Sequence, residues 1–224
     1  MMCAPDPGSV AMAPPPRNDS PATAAELAEL RTMAANRTPQ DVRQILRWSV
    51  NEPSVNSHWG TLANLLASRY QLSPPAAARV NSIMNTAIHA ALVGAWGAKY
   101  RFQRPRPNVL DARVNPEVIP VPDFPAYPSG HSTVGGAAAR VLSQFFPADR
   151  AVIQALAEDS GLSRLKAGIH YRSDHTGGLA MGRQVADLVL RDMVARDGAP
   201  LSYAPRPGSS RVTFPELLAI IDRR

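Results

Sequence analysis

Apolar side chains recur every three to four residues along most of the chain, which is the spacing of one face of an α-helix. No stretch alternates apolar and polar residues for long enough to indicate a β-strand. The pattern therefore predicts an all-α fold built as a helical bundle. The predicted helices cover residues 23–36, 38 onward, 57–70, 73–102, 129–146, 148–158, 162–170, 176–196 and 215–222.

Residues that favour helix N-termini mark several of these beginnings. Thr23 followed by Glu26 has the spacing of a capping box, in which each side chain accepts a backbone N–H of the other residue. Thr38-Pro39 and Ser73-Pro74 each place a capping residue before a proline, whose missing N–H costs nothing in a first helical turn.

The proline content divides the chain. Residues 1–20 contain five prolines and few large apolar side chains, so we expect them to be disordered. Residues 104–128 contain seven prolines in 25 positions, which predicts a long functional loop because proline interrupts helices and sheet ladders. The remaining pattern predicts one helical domain over 21–200 and a tail with a short helix over 201–224.

Composition narrows the class of ligand. Lysine and arginine exceed aspartate and glutamate by 24 to 18, a net charge of +6, and this surplus suits an anionic ligand. The basic residues form no run of five and alternate with no aromatic residues, so we do not expect nucleic-acid binding. The single cysteine, Cys3, excludes an intramolecular disulfide and a multi-cysteine metal site.

Hydropathy gives no membrane or export signal. The longest uninterrupted apolar run, residues 90–98, is much shorter than the roughly 20 residues that span a bilayer. The first residues lack the basic and apolar regions of a secretory signal. We therefore expect a soluble chain as given, leave its compartment open, and consider a homodimer plausible for a bundle of this size.

Three polar clusters flank the proline-rich loop or follow it. Lys99 and Arg106 precede it, and a guanidinium can bind a tetrahedral oxyanion through two parallel hydrogen bonds. Ser129, Gly130 and His131 stand at a predicted helix start, where unpaired N–H groups and the positive end of the helix dipole favour an anion.

The third cluster lies within residues 163–175 and contains Arg164, His170 and Asp174. The spacing of four residues lets the Asp174 carboxylate accept from one ring nitrogen of His170, which leaves a lone pair on the other nitrogen. That nitrogen could be a nucleophile, and a metal site formed by His170, Asp174 and His175 is the alternative.

Taken together, the blocks K-x6-R-P, P-S-G-H and S-R-x5-H-x3-D, within residues 99–174, resemble the type 2 phosphatidic acid phosphatase / vanadium haloperoxidase superfamily. The resemblance implies a helical bundle in which Lys99, Arg106, Arg164 and the backbone of Ser129 and Gly130 bind an oxyanion. The family's roles carry over residue by residue. His170 is the implied nucleophile, or the vanadate ligand, with Asp174 orienting it, and His131 is the implied general acid and base.

Different residues resemble different branches of the superfamily. Trp96, Phe124 and Arg104 are expected to line the pocket. Trp96 and Phe124 resemble chloroperoxidases, whereas Arg104 two residues before Arg106 resembles bacterial class A acid phosphatases. His89 and Asn51 depart from the haloperoxidase pattern.

We therefore predict a metal-independent phosphoric monoester hydrolase with a phosphohistidine intermediate, no cofactor and a small phosphate ester as substrate. The alternative is a vanadate-dependent haloperoxidase that oxidises halide with hydrogen peroxide. A catalytically idle binding bundle would require replaced catalytic positions, and none is replaced.

Overall fold

The computed structural model describes residues 10–49, 55–115, 117–199, 201–208 and 210–222. Within these residues the secondary structure is helical and contains no strand, so the all-α prediction is confirmed. The helices are α1 Pro21–Ala35, α2 Pro39–Arg47, α3 Val55–Arg69, α4 Pro74–Phe102, α5 Pro107–Leu110, α6 Gly130–Phe145, α7 Arg150–Lys166, α8 Arg172–Asp197 and α9 Phe214–Ile221, with one 3₁₀ turn at Pro147–Asp149.

Most helix beginnings follow their capping residues. Thr38 forms a complete capping box with Asp41 at α2, and Ser73 is the N-cap of α4. The prediction for α1 was wrong, because Ser20 and not Thr23 is its N-cap. The Ser20 hydroxyl accepts the Thr23 N–H at 3.2 Å and Pro21 occupies the first helical position. Glu26 is thereby free for another role, described below.

Two predicted helices, 148–158 and 162–170, are one continuous helix, α7, which ends at Lys166. Gly161, in the predicted gap between them, lies inside this helix, where its lack of a side chain serves packing. A Cβ at Gly161 would lie 2.1 Å from His175 Nδ1 and 2.8 Å from the Ser132 hydroxyl. Consequently His170 lies outside a helix, in the short connection between α7 and α8.

Helix α6 is the centre of the bundle and packs against α4, α7 and α8. Its contact with α8 is close because glycines face backbone there. A Cβ on Gly182 would lie 2.1 Å from the carbonyl oxygen of Thr133, and one on Gly136 would lie 2.4 Å from that of Leu179. This close packing holds the N-terminal ends of α6 and α8 side by side.

Segments outside the bundle also contact it. Val10 and Met12, in the stretch expected to be disordered, pack against the main core, and the Tyr127 hydroxyl donates to the Ala13 carbonyl oxygen at 2.8 Å. Leu217 of α9 is buried in the same core. In the part of the chain that is described, no helix has the length and apolar character needed to cross a bilayer.

Candidate active site

Members of all three polar clusters line one cavity of about 560 Å³, whereas Lys99, Ser129 and Asp174 are buried and are not among its lining residues. Helix ends bring the clusters together: Lys99 lies in the last turn of α4 and Arg106 follows that helix, Gly130 and His131 begin α6, and Arg164 lies in the last turn of α7. The lining is mainly apolar apart from a few polar groups. It comprises Ser49, Val55, Asn56, Leu92, Trp96, Arg106, Ile119, Pro120, Val121, Pro122, Phe124, Gly130, His131, Val134, Arg164, Ile169 and His170.

His170 is held in one tautomer by two neighbours. Its Nδ1 lies 2.9 Å from Asp174 Oδ2, and its Nε2 lies 3.1 Å from Arg106 Nη1. Because a guanidinium can only donate, Nε2 accepts and Nδ1 carries the proton. Burial and then the Arg106 charge hold the pKa of His170 well below its usual value. The ring is therefore neutral, with a lone pair on the nitrogen next to Arg106.

Asp174 is fully buried and all its near neighbours are donors. Oδ2 also accepts the Tyr171 N–H at 3.0 Å, and Oδ1 accepts from Arg104 Nη1 at 2.8 Å. Burial raises the pKa of Asp174 to about 6, and the Arg104 guanidinium limits that rise. Arg104, expected to line the pocket, instead lies on the side of Asp174 opposite His170, because its donors are used by Asp174 and Glu26.

Lys99 is buried near the end of α4, and its hydrogen bonds within the described residues go to carbonyl oxygens. Its Nζ donates to the carbonyl oxygens of Pro125 and Ala126 at 2.8 and 3.0 Å. Burial, with the nearby Arg106 charge adding to it, lowers the pKa of Lys99 to about 7. The ammonium therefore lacks a counter-charge of its own.

Arg106 and Arg164 are bound in the same way. Arg106 donates to the carbonyl oxygens of Phe124 and Ile169 at 2.9 and 2.7 Å, and its buried Nη2 has no partner. Arg164 donates to the carbonyl oxygen of Ile45 at 2.6 Å. Burial lowers the pKa of both guanidinium groups, which still remain charged near neutral pH.

None of the ion pairs formed within the described ranges involves Lys99, Arg106 or Arg164. Three buried cations thus share one region of the molecule without a direct carboxylate partner. A buried charge is costly unless it is paired, so an anion bound among them would relieve that cost.

His131 is the second imidazole of the cavity. Its Nε2 lies 2.8 Å from the carbonyl oxygen of Trp48, so Nε2 carries the proton and Nδ1 is the unprotonated nitrogen of the neutral ring. Burial, followed by the Arg164 charge, lowers the pKa of His131 to about 3. Without a bound anion, His131 is neutral.

The start of α6 offers fewer donors than the sequence suggested. The Ser129 N–H donates to the backbone oxygen of Asp174 at 2.9 Å, and the Ser129 hydroxyl caps Ser132 N, so the Ser129 backbone donor is already used. Gly130, at the first position of the helix, has an N–H without an intrahelical acceptor. Of the two backbone N–H groups expected to bind an oxyanion, those of Ser129 and Gly130, the Gly130 N–H is therefore the remaining candidate.

Trp96 and Phe124, predicted to line the pocket, both do so. Their ring centroids are 5.3 Å apart, and Lys99 Nζ lies 5.2 Å from the Phe124 centroid. Trp96 retains 38% of its accessible surface and thus forms part of the cavity rim.

The other histidines lie outside this group. His175 contacts Ser132 Oγ and Glu158, His58 bonds the Arg47 carbonyl oxygen, and His89 is exposed. Across the described ranges, no group of three or more His, Cys, Asp or Glu side chains is arranged to hold a metal ion. Asn51 lies outside the described residues.

Sequence reasoning missed the main-chain carbonyls that hold the site's side chains, among them those of Ile45 and Trp48, and the carboxylate of Glu26. The two carbonyls lie at the C-terminal end of α2, which points at Arg164 and His131. Main-chain acceptors leave no residue-type signal, whereas Glu26 carried a signal that we assigned to a helix cap.

Comparison with known proteins shows the family. A family model described as the PAP2 superfamily matches residues 80–197, more than half of the chain, and the chain belongs to that superfamily. The family predicted from the three blocks is therefore confirmed.

Two curated relatives are each named "Lipid A 1-phosphatase", from Rhizobium johnstonii and Rhizobium etli. Both are 38% identical to this chain over 82 residues, which cover 37% of the chain and 33% and 35% of the relatives. The match thus spans about a third of the length of these relatives.

Solved structures share the fold. A bacterial vanadium-dependent iodoperoxidase aligns with a TM-score of 0.68 at 24% identity, covering 80% of this chain and 52% of its own. A bacterial vanadium-dependent chloroperoxidase gives 0.67 at 16% identity, covering 85% and 52%. A transmembrane PAP2-type phosphatidylglycerolphosphate phosphatase from Bacillus subtilis gives 0.56 at 18% identity, covering 80% and 90%.

Proposed function

We propose that this chain is a metal-independent phosphoric monoester hydrolase that works through a phosphohistidine intermediate. The observation that supports it most is the set of three buried cations, Lys99, Arg106 and Arg164, held by carbonyls beside the His170 lone pair. Such a set of fixed charges stabilises the transition state of phosphoryl transfer without a metal.

In the first step His170 Nε2 forms a bond to phosphorus while the phosphorus–oxygen bond of the ester breaks. Arg106 Nη1 must turn from Nε2 to a phosphoryl oxygen, and its unpartnered Nη2 binds a second oxygen. Asp174 stabilises the charge that develops on the ring. The departing ester oxygen takes a proton from His131, whose Nδ1 is the nitrogen not engaged by Trp48.

In the second step His131, now neutral, removes a proton from water as the water attacks phosphorus. The nitrogen–phosphorus bond breaks and inorganic phosphate forms. Because His131 is neutral in the empty cavity, its proton must arrive with the substrate. A phosphate monoanion brings one, and negative charge beside Arg164 raises the pKa of His131. Turnover is therefore favoured at acidic to neutral pH.

The cavity wall indicates the kind of ester. Apart from the histidines and arginines, the lining is mainly apolar, with Leu92, Trp96, Phe124 and the residues 119–122 around it. An apolar leaving group fits such a wall better than a nucleotide or a sugar. The name of the curated relatives, a lipid phosphatase, agrees with this choice of substrate.

A vanadate-dependent haloperoxidase is the second candidate, favoured by the pair Trp96 and Phe124 at the cavity rim. The residues fit vanadate, since His170 Nε2 has a lone pair and Arg106 Nη2 lacks a partner. Vanadate, when bound, would supply activation of hydrogen peroxide. His170 would hold it, and the three cations would balance its oxygens.

A paired assay separates the two candidates. The phosphatase should release phosphate from an aryl phosphate in the presence of a chelator, and vanadate should inhibit it as a transition-state analogue. Bromination of a phenol dye that needs both vanadate and peroxide, with no phosphate release, would instead establish the haloperoxidase.

Variants test the assigned residues. His170→Ala should abolish phosphate release, and acid quenching of the wild type with a labelled ester should trap phosphohistidine. His89→Gln is the matched control, because His89 is exposed and is not among the residues that line the cavity. Full activity in His170→Ala, or label on another residue, would contradict the mechanism.

A further inference from the structure

Arg104 is buried behind the His170–Asp174 pair, on the side away from the cavity, with 2% of its surface accessible. Its Nη1 donates to Asp174 Oδ1 at 2.8 Å and to the Ser173 hydroxyl at 2.6 Å. Its guanidinium also lies over the Tyr171 ring, 3.8 Å from the centroid. Three contacts thus fix its plane against the first turn of α8.

Glu26 of α1 completes the arrangement. Its Oε2 accepts from Arg104 Nη2 at 2.9 Å, and its Oε1 accepts the Ser173 N–H at 2.5 Å. The carboxylate that the sequence suggested as a helix cap therefore binds the guanidinium and the start of α8. Arg104 thus donates to two carboxylates, to Asp174 through Nη1 and to Glu26 through Nη2.

The charged and titratable groups around Asp174 come from four places. His170 and Tyr171 lie beside it in the connection to α8, and Arg104 contacts it directly. Lys99, Arg106 and Tyr127 act on it from α4 and from the proline-rich loop, and Glu26 acts through Arg104. Arg104 is the cation in direct contact with the carboxylate within the described residues.

We infer that Arg104 is a positioning residue that keeps Asp174 ionised and aimed at His170 Nδ1, and that Glu26 sets how strongly it does so. Ionised Asp174 accepts the Nδ1 proton, which leaves the Nε2 lone pair for phosphorus. The inference rests on the proposed phosphatase mechanism, in which Arg104 itself never touches the substrate.

Variants at Arg104 and at Glu26 should move the acid limb of the pH profile of kcat/KM in opposite directions. In Arg104→Met, buried Asp174 loses its guanidinium and its pKa rises, so the acid limb moves up by roughly one to three pH units. With the pKa of Asp174 starting at about 6, activity at pH 7 should then fall roughly twofold for a shift of one unit and roughly a hundredfold for three. In Glu26→Gln the Arg104 charge is no longer shared, so the pKa of Asp174 falls and the limb moves down. Arg104→Lys should restore most of the wild-type limb.

The measurement is the ratio of variant to wild-type kcat/KM against pH with one aryl phosphate, which cancels the ionisation of the substrate. A purely structural role would lower the ratio equally at every pH in both variants. Opposite displacements support the inference, and limbs that coincide with the wild type overturn it. If Arg104→Met does not fold, the inference is still tested by the direction in which Glu26→Gln moves the acid limb and by the return of the limb towards the wild type in Arg104→Lys.

A second readout separates this inference from the proposed function. The ring ¹⁵N shifts of His170, titrated without substrate, report the ionisation of Asp174 in the resting protein. A wild type that releases no phosphate would refute the phosphatase, whereas unchanged ¹⁵N titrations in both variants would refute the role of Arg104.

Discussion

Binding of inorganic phosphate at pH 8 should draw nearly one proton from solution into the protein, and Lys99 should receive it. Burial and the Arg106 charge lower the pKa of this lysine from 10.5 to about 7. At pH 8 only about a tenth of the ammonium is therefore charged in the empty cavity. A phosphate dianion beside it favours the charged form and raises the pKa again.

The expected proton uptake follows from the difference between the pKa of Lys99 without phosphate and with phosphate bound. Uptake should approach about 0.9 proton per phosphate at pH 8, where phosphate is already a dianion. The lowered pKa corresponds to about 5 kcal/mol of charge-burial cost below pH 7. Because the pKa in the folded state is below the unfolded value, stability of the empty protein should rise with pH between about 7 and 10.5. Phosphate binding offsets part of that cost at lower pH.

Isothermal calorimetry in two buffers of different ionisation enthalpy measures the uptake directly. Lys99→Met should bind phosphate more weakly and without the buffer-dependent heat. The matched control is Lys166→Met, since Lys166 is a partly exposed residue paired with Asp41. A heat at pH 8 that is independent of the buffer in the wild type, or that persists in Lys99→Met, would refute the reasoning.

Three further outcomes follow from the structure. Gly182→Ala should lower the free energy of unfolding by about 1–3 kcal/mol in urea titrations, because its Cβ would meet the Thr133 carbonyl oxygen at 2.1 Å. The control for this variant is Gly60→Ala, which should raise the free energy of unfolding by roughly 0.5–1 kcal/mol, because a Cβ there meets nothing within 4 Å in a helix. Arg164→Met should lower kcat/KM for phosphate esters by about 10²–10³ while far-ultraviolet circular dichroism stays helical. Trp96→Ala should raise KM for an aryl phosphate by roughly tenfold, with little change for a methyl phosphate, in steady-state assays.

Each outcome has a contrary result. Equal stability of Gly182→Ala and the wild type would mean that α6 and α8 are not in close contact. Unchanged kcat/KM in Arg164→Met would remove this cation from the oxyanion site. Equal effects of Trp96→Ala on both esters would place the ring away from the leaving group.

The fold was largely predictable because its helix beginnings use local signals. Thr38 and Ser129 act through side-chain hydrogen bonds to residues three positions away, and Ser73 precedes a proline that suits the first helical turn. The error at Thr23 has the same origin, because the Ser20 hydroxyl, and not the Glu26 carboxylate, accepts the Thr23 N–H.

Predictions failed where a residue serves a distant partner. A helix break was predicted between residues 158 and 162, but Gly161 lies inside α7 and makes room for His175 on another helix. Arg104 was expected in the pocket because it is near Arg106 in the sequence. Its partners, Glu26 and Asp174, are 78 and 70 residues away along the chain. Pairing across 70 residues or more leaves no trace in a single sequence.

The carbonyl-bound cations have a consequence for turnover. After hydrolysis, the alcohol departs as a neutral molecule that none of the three charges holds. Inorganic phosphate keeps the full attraction of Lys99, Arg106 and Arg164, and in the described part of the chain the nearby Asp174 is paired with Arg104 and His170 and not with these cations. Release of phosphate should therefore limit the rate, and the accumulating product should inhibit the enzyme in competition with its ester.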